Sequence, residues 1–158
     1  MHDFEGRTAV ITGAGSGIGA ALARRAANEG MNVVLADIQE AQAQEVATAI
    51  GADRALALRC DVSDESSVAA LADAAYARFG TVDLLCNNAG IVPGGRHRKV
   101  WEYGLGDWQW SLGVNLYGVV HEAAPLPRRG IAPHRRHRPW PSARRGRSPP
   151  PRARLPPP

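Results

Sequence analysis

The sequence predicts an α/β domain, a doubly wound parallel sheet of about four strands within residues 1–122, followed by a disordered tail over 123–158. Three observations lead there. Short β-branched runs alternate with Ala/Leu-periodic segments, a glycine cluster falls where the first run gives way to the first helix, and the composition changes abruptly after Glu122. Residues 1–122 hold 9 Lys+Arg against 15 Asp+Glu, a net of −6, whereas residues 123–158 hold 10 Arg, no acid and 11 of the 12 prolines.

RTAVIT (7–12) is the first strand, and GAGSGIG then opens a helix over AALARRAANEG, which closes at Gly30. NVVLAD (32–37) is the second strand, 39–50 a helix ending before Gly51, and RALALRCD (54–61) the third strand. A third helix over 64–80 takes Ser63 or Asp64 as its cap and stops at Gly80, and TVDLLCNNAG (81–90) is the fourth strand. The right-handed crossover rule folds such repeated βαβ units into a parallel sheet covered on both faces, which explains why the strands have no polar side. Residues 91–106 carry three glycine-containing breaks and read as a surface loop. Residues 107–122 read as one helix opened by Asp107, with Trp108, Trp110 and Leu112 through Val120 packing beside the fourth strand. For Trp101, Trp108 and Trp110, core packing is favoured over an apolar pocket wall.

About 120 residues suffice for one small domain. MHDFEGRTAV is charged and broken by Gly6, so it is not a signal-peptide core, and no apolar run approaches the ~20 residues that cross a bilayer. A cytoplasmic location and no membrane partner are expected. Cys60 and Cys86 lie at strand ends without a CxxC or histidine neighbour and read as buried free thiols, so no metal site is expected.

The chemistry is concentrated at the ends of the strands. Gly13, Gly15, Gly17 and Gly19 stand where a strand turns into a helix N-terminus, where backbone N–H groups and the helix dipole make an anion seat. Asp37 ends the second strand, 20 residues beyond Gly17, where a carboxylate accepts hydrogen bonds from both ribose hydroxyls of an adenosine and repels a 2′-phosphate. The cofactor expected is therefore NAD rather than NADP.

Thr12-Gly13-x-x-x-Gly17-x-Gly19, Asp61-Val62 after the third strand, Asn87-Asn88-Ala89-Gly90 after the fourth and Asn115 within VNLYG occur in the order found in the short-chain dehydrogenase/reductase family, which residues 5–122 resemble. The resemblance implies a Rossmann-type domain in which Gly13, Ser16, Gly17, Ile18 and Gly19 hold the pyrophosphate and Asp37 the adenosine ribose. Asp61 and Val62 would flank the adenine, and Asn88, Ala89 and Gly90 would line the nicotinamide side. Asn115 would take the catalytic place of the helix asparagine that holds a water on the proton-relay path. The implied activity is hydride transfer between nicotinamide and a small-molecule alcohol or carbonyl, in a homo-oligomer whose interface falls mostly outside these residues.

The family's proton-handling set, a serine and Tyr-x-x-x-Lys, does not appear: the last tyrosine is Tyr117, the only lysine is Lys99, and Ser142 and Ser148 have no strand around them. A tyrosine without a neighbouring cation titrates near ~10 and transfers protons poorly at neutral pH. The chain therefore reads as a cofactor-binding half, catalytically inactive as it stands. Ending the sheet at its fourth strand, in an order 3-2-1-4, would leave an apolar edge and poor solubility. The tail lacks Asp, Glu, Lys, Asn, Gln, Thr, Val, Phe, Tyr and Met altogether, as expected of GC-rich DNA read out of frame. A basic arm for nucleic acid is the less favoured explanation, since Trp140 is the tail's only aromatic, and a polyproline ligand is the third. The alternative function is a noncatalytic NAD-binding or interaction module carrying that basic tail.

Overall fold

The computed structural model describes residues 4–93, 99–123 and 125–126. Residues 94–98 of the expected loop lie outside the described residues, as does the expected tail apart from 123, 125 and 126. Ser142 and Ser148 are among the undescribed residues.

The described chain runs β1 (Thr8–Thr12), α1 (Gly17–Asn28), β2 (Asn32–Asp37), α2 (Glu40–Ile50), β3 (Ala55–Arg59), α3 (Glu65–Phe79), β4 (Leu84–Cys86), α4 (Leu105–Leu112) and α5 (Gly118–Ala123). The strands form one parallel sheet in the order β3-β2-β1-β4. Thr8 pairs with Asn32, Val33 with Ala55 and Ala9 with Leu84, so every strand ends at the same edge of the sheet.

Strand alternation divides the core in two. Ala9 and Ile11 of β1 and Val33 and Leu35 of β2 face α1 and α2, packing on Ala23, Ala27, Ala43 and Val46. Val10, Val34 and Ala36 face the other way, onto Val68, Leu71 and Ala75 of α3. Alanine lines the helix faces, which lets the helices lie close to the sheet. Asp64 caps α3 by accepting the Ser66 N–H at 2.9 Å, and hydrogen bonds from Ser66 hold its carboxyl below the usual range. Gly80, in the left-handed conformation at φ 80°, ends that helix.

The last third departs from expectation in three respects. The fourth strand is three residues long, not ten, and it pairs only with β1 among the described residues. The helix expected over 107–122 begins at Leu105 and is broken by a π-helical turn at Gly113–Tyr117; Asp107 lies in its first turn and accepts the Gly104 N–H at 2.9 Å. Its apolar residues do not pack beside β4 as the pattern suggested: Trp108, Trp110, Leu112, Leu116, Tyr117, Val119 and Val120 are exposed. The inward stripe recurs every fourth residue, through Val114, Gly118 and Glu122, and the intervening side chains turn outward. Packing also continues past Glu122, since Leu126 is fully buried in the α3-side cluster and Tyr76 donates its hydroxyl to the Leu126 carbonyl. Cys60 is buried and Cys86 half-buried, both are free, and burial pushes both thiols up. No helix among the described residues is long and apolar enough to cross a membrane.

Leu35→Ala, at a fully buried position of the central sheet, is expected to lower stability by about 2–5 kcal/mol in urea denaturation. Leu116→Lys, on the outward side, should change it by less than about 0.5 kcal/mol. Equal losses would mean that Leu116 packs inward after all.

Candidate functional site

Because all four strands end at one edge, the segments that follow them converge there. They enclose a cleft of about 440 Å³. Gly13, Ser16, Gly17 and Ile18 line it from the turn after β1, and Asp37 from the end of β2. Asp61 and Val62 line it from the segment after β3, and Asn88, Ala89 and Gly90 from the segment after β4. Ten of the residues singled out in the sequence thus meet in one place. Gly19 and Asn115 do not line this cleft.

Gly19 acts by closeness instead. A Cβ there would collide with the Gly13 carbonyl oxygen and stand 2.6 Å from Asn88 Nδ2, so only glycine lets the start of α1 lie against the turn before it. Gly13 and Gly17 have φ of 63° and 52°, which gives the turn its reversal. Ser16 precedes α1 in extended conformation and makes no side-chain capping hydrogen bond. The first N–H groups of α1 thus have no side-chain acceptor from the cap, and Gly17 and Ile18 line the cleft at the positive end of the helix dipole.

The Asp37 carboxylate is fixed by two backbone donors. Gly15 N–H reaches one oxygen at 2.8 Å and Gln39 N–H the other at 2.9 Å. These bonds hold a half-buried carboxylate at the cleft wall and leave lone pairs on each oxygen for further donors. Asp61 accepts from both the N–H and the hydroxyl of Ser63, at 3.0 and 2.6 Å, which fixes the turn leading into α3.

Thr12 and Asn88 tie β1 to β4. The Thr12 hydroxyl oxygen accepts the N–H groups of Asn88 and Ala89 at 3.2 and 3.1 Å. Asn88 Nδ2 in return donates to the carbonyls of Thr12 and Gly13 at 2.9 and 3.3 Å. Asn115 does comparable work one layer out: its amide donates to the Ile91 carbonyl and accepts the Ile91 N–H, both at 2.8 Å. It lies within the π-helical turn, beside Asn87, Gly90 and Ile91 in a shallower depression. Its two amide groups thus hold the chain after β4 against the helix that follows.

Sequence reasoning missed Glu122. Its side chain is 1% exposed, and both carboxyl oxygens lie 3.3 Å from the Thr12 hydroxyl. The one hydroxyl proton goes either there or to the Cys86 carbonyl at 3.4 Å. Burial pushes the Glu122 carboxyl up to about 7, against the smaller opposing effect of the Thr12 hydrogen bond. The available signal was the four-residue spacing of Val114, Gly118 and Glu122, which places the acid on the inward stripe. Also missed as cleft-lining residues were Ile38, Gln39, Cys60, Ile91 and Val114, while Trp110, for which the sequence favours core packing over an apolar pocket wall, lines the cleft.

Comparison with known proteins agrees with this geometry. The family model described as short chain dehydrogenase matches residues 7–128. D-threitol dehydrogenase of Mycolicibacterium smegmatis is 40% identical over 118 residues, which cover 73% of this chain and 44% of that protein. Cis-4-hydroxycyclohexanecarboxylate dehydrogenase of Sinomonas cyclohexanicum is 46% identical over 119 residues, covering 74% and 47%. Among solved structures, a short chain dehydrogenase/reductase from Burkholderia phymatum in complex with NAD superposes with a TM-score of 0.73 at 44% identity, over 80% of this chain and 46% of that one. A 3-ketoacyl-(acyl-carrier-protein) reductase from Brucella melitensis complexed with NADH gives 0.72 at 42% identity, over 76% and 48%. The chain thus spans less than half the length of these relatives.

The buried acid makes stability depend on pH. An ordinary glutamate releases its proton near 4.5 and the folded Glu122 near 7, so the folded chain binds more protons between these values. Stability should then fall as pH rises through that window, by about 3 kcal/mol in all. Glu122→Gln is expected to remove most of this fall, raising the urea midpoint at pH 8 and changing it little at pH 5. Parallel pH profiles for the two proteins would show that the acid is not held neutral.

Proposed function

Because the chain belongs to the short-chain dehydrogenase family, we propose that its strand-end cleft is a seat for NAD, the cofactor-binding half of a site for hydride transfer between nicotinamide and a small-molecule alcohol or carbonyl. The observation that carries this reading is the meeting, in one cleft, of the uncapped N-terminus of α1 with the twice-anchored Asp37 carboxylate. The donor set fits the ligand. Backbone N–H groups of Gly17 and Ile18 suit a pyrophosphate, and a Cβ at Gly13 would fall 3.0 Å from Ala89 Cα and Asn88 Nδ2 and crowd the turn they would use. Asp37 suits two ribose hydroxyls and disfavours a 2′-phosphate by like-charge repulsion, which selects NAD over NADP. The NAD and NADH complexes of the two similar structures support this choice.

Bound nicotinamide supplies or accepts the hydride at its C4. Asn88, Ala89 and Gly90 line the end of the cleft away from Asp37 and suit the nicotinamide half, with Asp61 and Val62 beside the base. Asn115 is a positioning residue in this reading, since its amide is engaged with Ile91. The names of the relatives, dehydrogenases of D-threitol and of a hydroxycyclohexanecarboxylate, support hydroxylated small molecules as the substrate class. In this family the proton that accompanies hydride transfer is handled by a Tyr-x-x-x-Lys pair, and these 158 residues contain no such motif. Lys99 stands over the Trp101 ring at 5.3 Å. The chain as it stands therefore binds the dinucleotide and does not turn over an alcohol.

Titration of the protein with NADH, followed by the fluorescence of the reduced nicotinamide, tests this directly. The unmodified chain should bind NADH in preference to NADPH, and Asp37→Ala should weaken NADH about tenfold while narrowing that preference, as expected for lost charge-assisted hydrogen bonds. Indistinguishable binding of NADH and NADPH by the unmodified chain, or none of either, would reject the assignment.

A further inference from the structure

Resting on the dinucleotide reading above, we propose that Trp110 forms the outer wall of the base-binding end of the cleft and covers one face of the adenine ring. Trp110 lines the same cleft as Asp37, Ile38, Asp61 and Val62, although it reaches it from α4, far along the chain. Trp110 is 54% exposed, whereas Val114, four residues later in the π-helical turn, packs against the core on the α3 side. The indole thus stands above the core at the mouth of the cleft.

The neighbouring tryptophans have other partners. Trp108 meets the Tyr103 ring edge-on, with centroids 6.2 Å apart and planes at 75°. Trp101 carries the Lys99 ammonium over its face. Neither lines the cleft, so Trp110 alone among the described tryptophans offers its ring to whatever enters.

The cleft also supplies an apolar counterpart. Ile38 follows Asp37 directly, lines the cleft and is 53% exposed, so its aliphatic surface is open to whatever enters beside Asp37. A base attached to the ribose that Asp37 binds would leave that ribose beside Ile38. Adenine is planar with two apolar π faces, so a base lodged there removes both the indole and the aliphatic surface from water. A Trp ring adds stacking to that burial and tolerates any purine. The wall is held at a set distance because Asn115, in the turn after α4, is pinned to Ile91 by two hydrogen bonds of 2.8 Å.

The test uses the 158-residue chain with ADP-ribose, which carries the base, and nicotinamide mononucleotide, which does not. Binding is followed by calorimetry and by tryptophan emission, in the unmodified chain and in Trp110→Phe, Trp110→Ala and Asp37→Ala, each checked by its melting curve. ADP-ribose should quench the emission of the unmodified chain. Trp110→Phe should keep affinity within about twofold and lose most of the quenching, and Trp110→Ala should bind about tenfold more weakly, with nicotinamide mononucleotide unaffected. Unchanged ADP-ribose affinity in Trp110→Ala, with Asp37→Ala still weakened, would overturn this proposal and leave the dinucleotide seat standing. Undiminished quenching in Trp110→Phe would overturn it even if the alanine variant failed to fold. A larger loss for nicotinamide mononucleotide than for ADP-ribose would also overturn it by moving Trp110 to the other end. Absence of any ADP-ribose or NADH binding by the unmodified chain would end both readings together.

Discussion

The cleft depends on the hydrogen bonds that lock the end of β1 to the end of β4. β4 is only three residues long and has one strand neighbour among the described residues, so its ladder alone would hold it weakly. Side chains compensate at both ends. At the start, Asp83 accepts the Thr8 N–H at 2.9 Å and its own N–H donates to the Thr8 carbonyl at 2.9 Å. At the finish, the Thr12 hydroxyl and the Asn88 amide bind each other's backbone, inside a region where an unmade hydrogen bond would cost about 1–3 kcal/mol. That pair fixes Gly13 against Ala89, and through Gly13 it fixes the beginning of α1. The anion seat on one side and the asparagine-rich wall on the other are therefore set by one polar contact.

Beneath that contact lies an acid. Glu122 approaches the same Thr12 hydroxyl from α5 and is almost wholly buried. A carboxyl in such surroundings favours its neutral form, because the charged form has lost its water and found only a hydroxyl in exchange. The same burial raises the thiol of Cys60, and the nearby Glu122 carboxyl adds to that effect. Burial thus favours the neutral form of both groups, which makes their position informative for stability. Joining the Thr12 contact to a group that titrates near neutrality links the firmness of the cleft floor to pH.

The helical region after β4 serves the cleft in a second way. Its inward stripe of Val114, Gly118 and Glu122 docks on α3 and Val62, and His121 Nδ1 lies 3.0 Å from the Val62 carbonyl. The remaining apolar side chains of this region face outward, including Leu116, Tyr117 and Val120. A π-helical turn shifts the helical phase at Asn115, which brings that amide to Ile91 while Val114 still reaches the core. The departure from regular helix is what allows one short segment to pack inward and hold the β4 loop together.

Local chemistry made most of the frame legible. Four short apolar runs, glycines at 30, 51 and 80, and Asp64 as one of two cap candidates are nearest-neighbour signals, and each marked an element or boundary, although the fourth strand is three residues long rather than ten. The glycine turn and Asp37 could be read because a parallel sheet sends all its strand ends to one edge, so strand order alone brings those residues together. Which side of the last helix is buried was not legible. Its pattern offers apolar residues on nearly every face, and the choice between them depends on where α3 and Val62 already stand. The burial of Glu122 and the exposure of Trp110 follow from that choice, since a helix can present only one stripe to a surface it did not itself create.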